Sequence, residues 1–361
     1  MPTEADTNVA TLQVEPAKVD LRQLDRESRQ ASVSDSSTPE RGKTVQDRTM
    51  QAIRQETLGG PEVLKLVTVP RPVPGGTEVL VRVHAAGVNP VDWKTRQSGG
   101  HIGPPPFTVG WDIAGVVEEV GRGVTRFAVG DRVFGMPNFP HEAAGYAPFV
   151  RSRSRHLALT PDGLDDIEAA ALPLSSLIAW QSLVETASVE KGGRVLIQGA
   201  AGGVGHLAVQ IAKDRFAYII GTAGPDDQAY LTELGVDEPI DFTRQDAADI
   251  VRDVDVVLDL VGGKTALSSL ATIRDGGLLI SVPSSTDLAP IRAAAEGRVR
   301  VTGILVEPDR ADLEAVSALA GEGRLTVRVA RTFPLEEAAR AHELGESGHA
   351  GGKMVLTVNG P

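Results

Sequence analysis

Residues 194–213 read RVLIQGAAGGVGHLAVQIAK. An apolar run enters a glycine-dense turn, and the turn opens a stretch with helical periodicity. Ala200, Gly202 and Gly205 stand at the three places of a G-x-G-x-x-G fingerprint whose first glycine is replaced. Gly202 lets backbone approach a pyrophosphate, and Gly205 lets the helix lie close to the strand. The free N–H groups across Ala200, Gly202, Gly203, Val204 and Gly205 offer an anion hydrogen bonds and the positive end of the helix dipole. A lone glycine motif would serve equally for a tight strand-to-helix turn. The strand before it, the helix after it and the βαβ continuation point instead to a dinucleotide site.

The second strand of that unit selects the dinucleotide. It ends Gly221-Thr222-Ala223-Gly224, with no carboxylate at its tip to bond a ribose 2′-hydroxyl. The small, neutral Thr222 leaves room for a 2′-phosphate, which predicts NADP(H) in preference to NAD(H). Asp226 and Asp227 follow at once and argue the other way, and no Lys or Arg lies between Arg215 and Arg244. Arg244, just after the third strand, is therefore the candidate to meet the phosphate. Val261-Gly262 and Ser281-Val282 follow the fourth and fifth strands. Ligands bind beyond the carboxyl ends of parallel strands, so these four residues are expected to border the nicotinamide. Asp259 reads as structural rather than as a base.

The elements that must position these residues fall into contrasting textures. VLKLVTVP (63–70), EVLVRVHAAGV (78–88), DIAGVVEEVG (112–121), DRVFGM (131–136) and YAPFVRSR (146–153) are Val-rich segments punctuated by Gly and Pro. They predict a compact, mainly β, barrel-like domain. IEAAALPLSSLIAWQSLVE (167–185) is helix-like, with a break at Pro173. Short apolar strands then alternate with helices, as a parallel sheet covered on both faces requires. Residues 1–48 differ again: nine acidic and seven basic residues, and no Phe, Trp or Tyr. Such a segment cannot recover its ordering entropy and is expected to be a disordered tail, with at most a short helix over 18–30.

The chain has 361 residues, of which 41% are hydrophobic and 23% charged, and a net charge of −12. That acidic balance disfavours nucleic acid and anionic membrane as partners. The absence of cysteine excludes disulfides, thiolate nucleophiles and zinc–cysteine sites. No apolar run approaches the ~18 residues of a membrane span, and no secretory signal is evident, so the cytoplasm is the expected location. No G-x-S-x-G elbow is present, against a hydrolase triad.

HAAGVNPVDWKTRQSG, FTVGWDIAGVVEEVGRGVTRFAVGDRVFGM, AAALPLSSLIAWQSL, VLIQGAAGGVGHLAVQIAK, VLDLVGG and GGKMVLTV occur in that order after Met50. Together they resemble the medium-chain dehydrogenase/reductase superfamily, in particular its zinc-independent quinone oxidoreductase branch. The resemblance implies an α/β fold. In it a GroES-like catalytic domain (49–170 and 322–361) is interrupted by a Rossmann domain (171–321), with the active site between them. It also implies a homodimer. Where zinc-dependent members carry Cys and a His-Glu pair, this chain carries Asn89 and Trp111-Asp112, and the four-cysteine lobe is absent. A metal site is not expected.

Without a Lewis acid, the fitting reaction is one whose hydride adduct is a delocalised anion. Reduction of a quinone, or of a carbon–carbon double bond conjugated to a carbonyl, has that property. Asn89 and Asp92, in VNPVDWK, are candidates to orient ribose or substrate, or else form a polar turn ordered by Asx hydrogen bonds. Tyr146 is a candidate proton donor or a packing residue. Pro148 and Phe149 replace the second tyrosine of the usual pattern, so solvent is the other proton source. Trp93 and Trp111 read as packing residues and Lys94 as a solvated charge. Two alternatives stay open: an alcohol or aldehyde dehydrogenase, and a cofactor-binding protein with a structural or regulatory role and little turnover.

Overall fold

The computed structural model describes residues 49–348 and 350–359. The expected tail over 1–48, with its short helix, lies outside the described residues.

β1 (Thr49–Arg54) and β2 (Lys65–Pro70) pair antiparallel as a two-stranded sheet. β3 (Glu78–Val88), β4 (Asp112–Val120), β5 (Arg132–Gly135), β6 (Phe149–Arg153) and β7 (Leu157–Leu159) follow. β8 (Arg194–Gln198), β9 (Tyr218–Ala223), β10 (Glu238–Asp241), β11 (Val254–Asp259), β12 (Ile273–Ser281) and β13 (Arg300–Gly303) come next. β14 (Val329–Pro334) and β15 (Lys353–Thr357) end the series.

Two larger sheets result. β8 to β13 form a wholly parallel sheet in the order β10-β9-β8-β11-β12-β13. Counted from β8, this is the 3-2-1-4-5-6 order of a doubly wound dinucleotide-binding sheet, and the order reverses between β8 and β11. Leu196, Ile197, Val257, Leu258, Leu279 and Ile280 are buried because helices cover both faces. The other sheet runs β14-β15-β3-β4-β5-β7, with β6 also on β3. Its pairings are antiparallel except β14 with β15. Five of its strands precede the parallel sheet in sequence and two follow it, so the α/β unit is inserted into a mainly β one.

The segment joining the sheets behaves as its proline dictates. Asp165 and Glu168 form a reciprocal capping box on the helix Asp166–Ala171. A second helix, Pro173–Trp180, starts at the proline and is buried from Pro173 to Ala179. Its N-terminal end reaches the antiparallel sheet, where the Leu174 N–H donates to Asp112 on β4.

Candidate active site

A cleft of about 820 Å³ lies between the two large sheets. One wall is the glycine turn after β8. Ala200 N–H donates to Thr222 O at 2.8 Å, and Gly199 N–H to Thr222 Oγ1 at 3.0 Å. Thr222 passes its own hydroxyl proton to Gln198 Oε1 (2.8 Å), so this residue braces the turn as well as lining the cleft. At Gly205, the first residue of the helix Gly205–Asp214, a Cβ would stand 2.2 Å from Gly199 O and 2.7 Å from Ala200 backbone. Glycine is required there for packing. At Gly202 the nearest atom to a Cβ would be Gly199 O, at 3.2 Å. Gly202, Gly203, Val204 and Gly205 all face the cleft, whereas Ala200 is buried behind it. The amides and the open approach fit a diphosphate.

His206 holds this turn to the rest of the molecule. Arg328 N–H donates to His206 Nε2 (3.1 Å), so the ring proton sits on Nδ1 and is donated to Gly202 O (2.9 Å). Burial lowers the pKa of this imidazole to about 4, which keeps it neutral in that tautomer.

Ala223, Gly224, Asp227 and Phe242 form the rim beyond β9. Arg244 does not join them: it is exposed, and its Nε lies 3.3 Å from Asp241 Oδ2, three residues back. The arginine that reaches this rim, through Asp227, is Arg328, from the segment before β14. Its Nη1 donates to Asp227 Oδ1 at 2.8 Å, and its guanidinium lies 4.5 Å over the Tyr230 ring.

At the other end of the parallel sheet, Val261 and Val282 line the cleft, while Gly262 and Ser281 do not. Asp259 ties the ends of β11 and β12 together. It accepts from the Val261 and Gly262 N–H groups at 3.1 and 2.8 Å and from Ser281 Oγ at 2.7 Å. With both carboxylate oxygens so engaged, it is a brace.

The opposite wall comes from the antiparallel sheet and the helix Pro90–Ser98. Asn89 caps that helix, and its backbone N–H donates to Asp92 Oδ2 at 2.7 Å. Asn89 Nδ2 donates to Asp112 Oδ2 (2.7 Å), and Leu174 N–H donates to Asp112 Oδ1 (2.9 Å). Lys353, the first residue of β15, donates from Nζ to Asn89 Oδ1 and to Ser175 Oγ (3.1 Å), with Asp112 Oδ2 3.8 Å away. Asn89, Ser175 and Lys353 face the cleft; Asp112 lies beneath them. Burial raises the Asp112 pKa and lowers that of Lys353, while each one's charge opposes the other's shift. Ser175 and Lys353 escaped the sequence reading. The only trace of Lys353 was the GGKMVLTV ending.

Two candidates move off the cleft wall. Tyr146 is completely buried among Ile53, Phe107, Val109 and Met354 and does not line the cavity. Its hydroxyl lies 3.1 Å from His342 Nε2, and Arg96 Nη1 donates to His342 Nδ1 at 3.2 Å. Arginine can only donate, so the neutral His342 carries its proton on Nε2 and donates it to Tyr146. Burial, and after it the nearby Asp92 carboxylate, raises the Tyr146 pKa, so the phenol keeps its proton. Asp92 is also fully buried, and desolvation raises its pKa to about 7. Asp92 holds the Asn89 backbone from behind the wall. Trp111 is buried and donates from Nε1 to His141 O (2.8 Å), a packing role, whereas Trp93 and Lys94 border the cleft.

Residues 75–163 match the alcohol dehydrogenase GroES-like domain, and residues 234–356 match a family described as zinc-binding dehydrogenase. The quinone oxidoreductase of Sus scrofa is 33% identical over 328 residues, covering 86% of this chain and 98% of that protein. The chain belongs to the medium-chain dehydrogenase/reductase superfamily. Within this superfamily it is quinone oxidoreductase-like, and it is a pyridine-nucleotide oxidoreductase. A 2-haloacrylate reductase of Burkholderia sp is 35% identical over 323 residues, covering 82% of this chain and 96% of that protein. Among solved structures, the quinone oxidoreductase from Coxiella burnetii superposes with a TM-score of 0.82 at 36% identity, covering 86% of this chain and all of that one.

The zinc in the second family description can be tested against the donors present. Zinc requires several N, S or O ligands with free lone pairs converging on one point. Here the Asn89 carboxamide is spent on Asp112 and Lys353, the Trp111 indole is a donor, and an ammonium already stands against the one carboxylate. Among the described residues no group of three or more His, Asp or Glu could hold a metal ion. These donors do not fit zinc.

Proposed function

We propose that this protein uses NADPH, in preference to NADH, to reduce a quinone or an α,β-unsaturated carbonyl compound without zinc. The observation that carries this reading is the pairing across one cleft of a diphosphate-cradling turn with a wall of hydrogen-bond donors free of metal ligands. When bound, the reduced nicotinamide supplies a hydride. The backbone around Gly202–Gly205 would hold the diphosphate, and Val261 and Val282 would flank the nicotinamide. Orientation of the two reactants in the cleft contributes to the rate. The final proton comes from water through the open cleft, because Tyr146 is sealed behind the wall.

The NADPH preference rests on the neutral strand tip and on Arg328, whose guanidinium pairs with Asp227 at the rim and offsets its charge. A homodimer belongs to the same reading. Among the described residues β13 is an unpaired sheet edge followed by exposed Leu305, a surface suited to a second copy.

The test mixes purified protein and NADPH with 1,4-benzoquinone, 1,4-naphthoquinone and simple enones and follows the nicotinamide absorbance. Oxidation by at least one acceptor, unaffected by chelators and slower with NADH, is expected. Nucleotide binding with no turnover, or chelator-sensitive turnover of alcohols alone, would overturn the proposal.

A further inference from the structure

We infer that Lys353 is a catalytic residue, its ammonium donating the hydrogen bond that stabilises the oxyanion formed when the substrate takes up hydride. The inference rests on the reductase reading above and names the group that does the electrostatic work.

Four observations lead to it. Lys353 faces the cleft although only 3% of its surface is exposed, so its charge acts from within the wall rather than from solvent. Its stem packs against the diphosphate turn: a Cβ on Gly203 would meet Lys353 Cδ at 3.3 Å. The residue thus bridges the cofactor turn and the substrate wall. Two of its three ammonium protons go to Asn89 Oδ1 and Ser175 Oγ. Asp112 Oδ2, at 3.8 Å, is outside hydrogen-bond range and already accepts from Asn89. One N–H is therefore left, on an ammonium held between Asn89 and Ser175, both of which line the cleft.

Nothing about Asp112 requires this arrangement. A buried carboxylate with two hydrogen bonds can be balanced by a cation on any side of it. Here the cation is placed on the cleft side. It also occupies the neighbourhood of Asn89 and Asp112, two of the three positions that the resemblance aligns with the Cys and His-Glu pair of zinc-dependent members.

In the reaction, hydride forms a new C–H bond at the β-carbon of an enone and the carbon–carbon π bond breaks. Its electron pair moves through the conjugated system onto the carbonyl oxygen, and the two electrons come from the dinucleotide. The oxyanion accepts the Lys353 N–H as charge develops, and a proton from water completes the reduced product.

A purely structural lysine would neutralise Asp112 and do nothing else. Lys353→Met alone strands a buried carboxylate and can fail through instability. The double variant Lys353→Met/Asp112→Asn removes both charges together. It is expected to fold and bind NADPH as the parent does, yet to lose about 10²–10³-fold in kcat, the usual effect of removing one oxyanion donor. Restoration of kcat in the charge-neutral variant would overturn the inference.

A second measurement needs no variant. 4-Nitrophenol, an oxyanion mimic whose ionised form is coloured, is titrated in the complex of the parent protein with NADP+. Its pKa is expected to fall by about one unit or more, a tenfold preference for the anion. A bound phenol that ionises no more readily than in water would refute the role. If the parent reduces no acceptor at all, the reductase reading fails instead, and the phenol titration still reports on Lys353.

Discussion

Gly202→Asp separates cofactor binding from folding at the turn. The new Cβ would meet only Gly199 O, at 3.2 Å, which a shift of a few tenths of an ångström relieves. The backbone there is not in the left-handed region, so the substitution adds no conformational strain. Its carboxylate, however, enters the space where the amides cradle a diphosphate. At about 4 Å and an effective dielectric near 20, each pair of like charges costs about 4 kcal/mol. That single pair corresponds to a loss of roughly 10³-fold in affinity, before steric exclusion is counted. Calorimetric titration with NADPH should therefore show no saturable binding, while the thermal unfolding midpoint stays near that of the parent. Gly205→Ala should behave oppositely. Its Cβ collides with backbone at 2.2 and 2.7 Å, so it should destabilise the fold by about 1–3 kcal/mol or more. A Gly202→Asp protein that binds NADPH with an unchanged Kd would refute the placement of the diphosphate.

Arg328→Gln removes the guanidinium at the rim and frees Asp227 to repel a 2′-phosphate. The KM for NADPH should rise by about tenfold or more, while that for NADH changes little; equal effects on both would remove Arg328 from phosphate recognition. Tyr146→Phe should leave kcat unchanged and lower stability by about 1 kcal/mol, because the hydroxyl is a buried hydrogen-bonding group away from the cleft. A large fall in kcat would restore Tyr146 as proton donor. Asp92 keeps its proton in the folded state up to about pH 7 but loses it near the ordinary carboxylate pKa when unfolded. Between those limits the native state holds the extra proton, so stability falls as pH rises, by about 1.4 kcal/mol per unit and roughly 4 kcal/mol in all. Asp92→Asn removes that dependence. Denaturant titrations should show it gaining on the parent from pH 4 to pH 8, and a difference that stays constant with pH would refute the assignment.

The parts of the fold legible in the sequence were those carried by local pattern. β3 runs over 78–88 as its Val-rich alternation predicts, the helix break falls at Pro173, and the apolar strands β8, β11 and β12 lie inside a parallel sheet. The glycine turn was legible because its strand, turn and helix are contiguous. The opposite wall was not, because Asn89, Asp112, Ser175 and Lys353 are brought together only by tertiary pairing. β15 returns from the far side of the α/β unit to pair with β3, which sets Lys353 beside Asn89 across 264 residues of chain. No spacing rule spans that distance. Arg328 escaped for the same reason: the sequence points to Arg244, just after β10, whereas the structure supplies an arginine from the segment before β14. Tyr146 misled because its place within the motif is unchanged while its hydroxyl is turned to His342.

The wall also bears on which reactions suit the cleft. Asn89, Asp112, Lys353 and Ser175 form a set with one positive and one negative charge, hydrogen-bonded within itself and to Leu174. Such a set can be buried without an uncompensated ion. It has little capacity left to donate: one ammonium proton, the second Asn89 amide proton and the Ser175 hydroxyl. A divalent metal can generate an alkoxide from an alcohol at neutral pH, because it stabilises a localised charge directly. An ammonium already sharing its field with Asp112 is a weaker electrophile. It suffices where the substrate spreads its new charge over a conjugated system, as an enolate or a quinol anion does. On this argument the limit on substrate class is set by how much charge the wall can stabilise, and the width of the cleft is secondary.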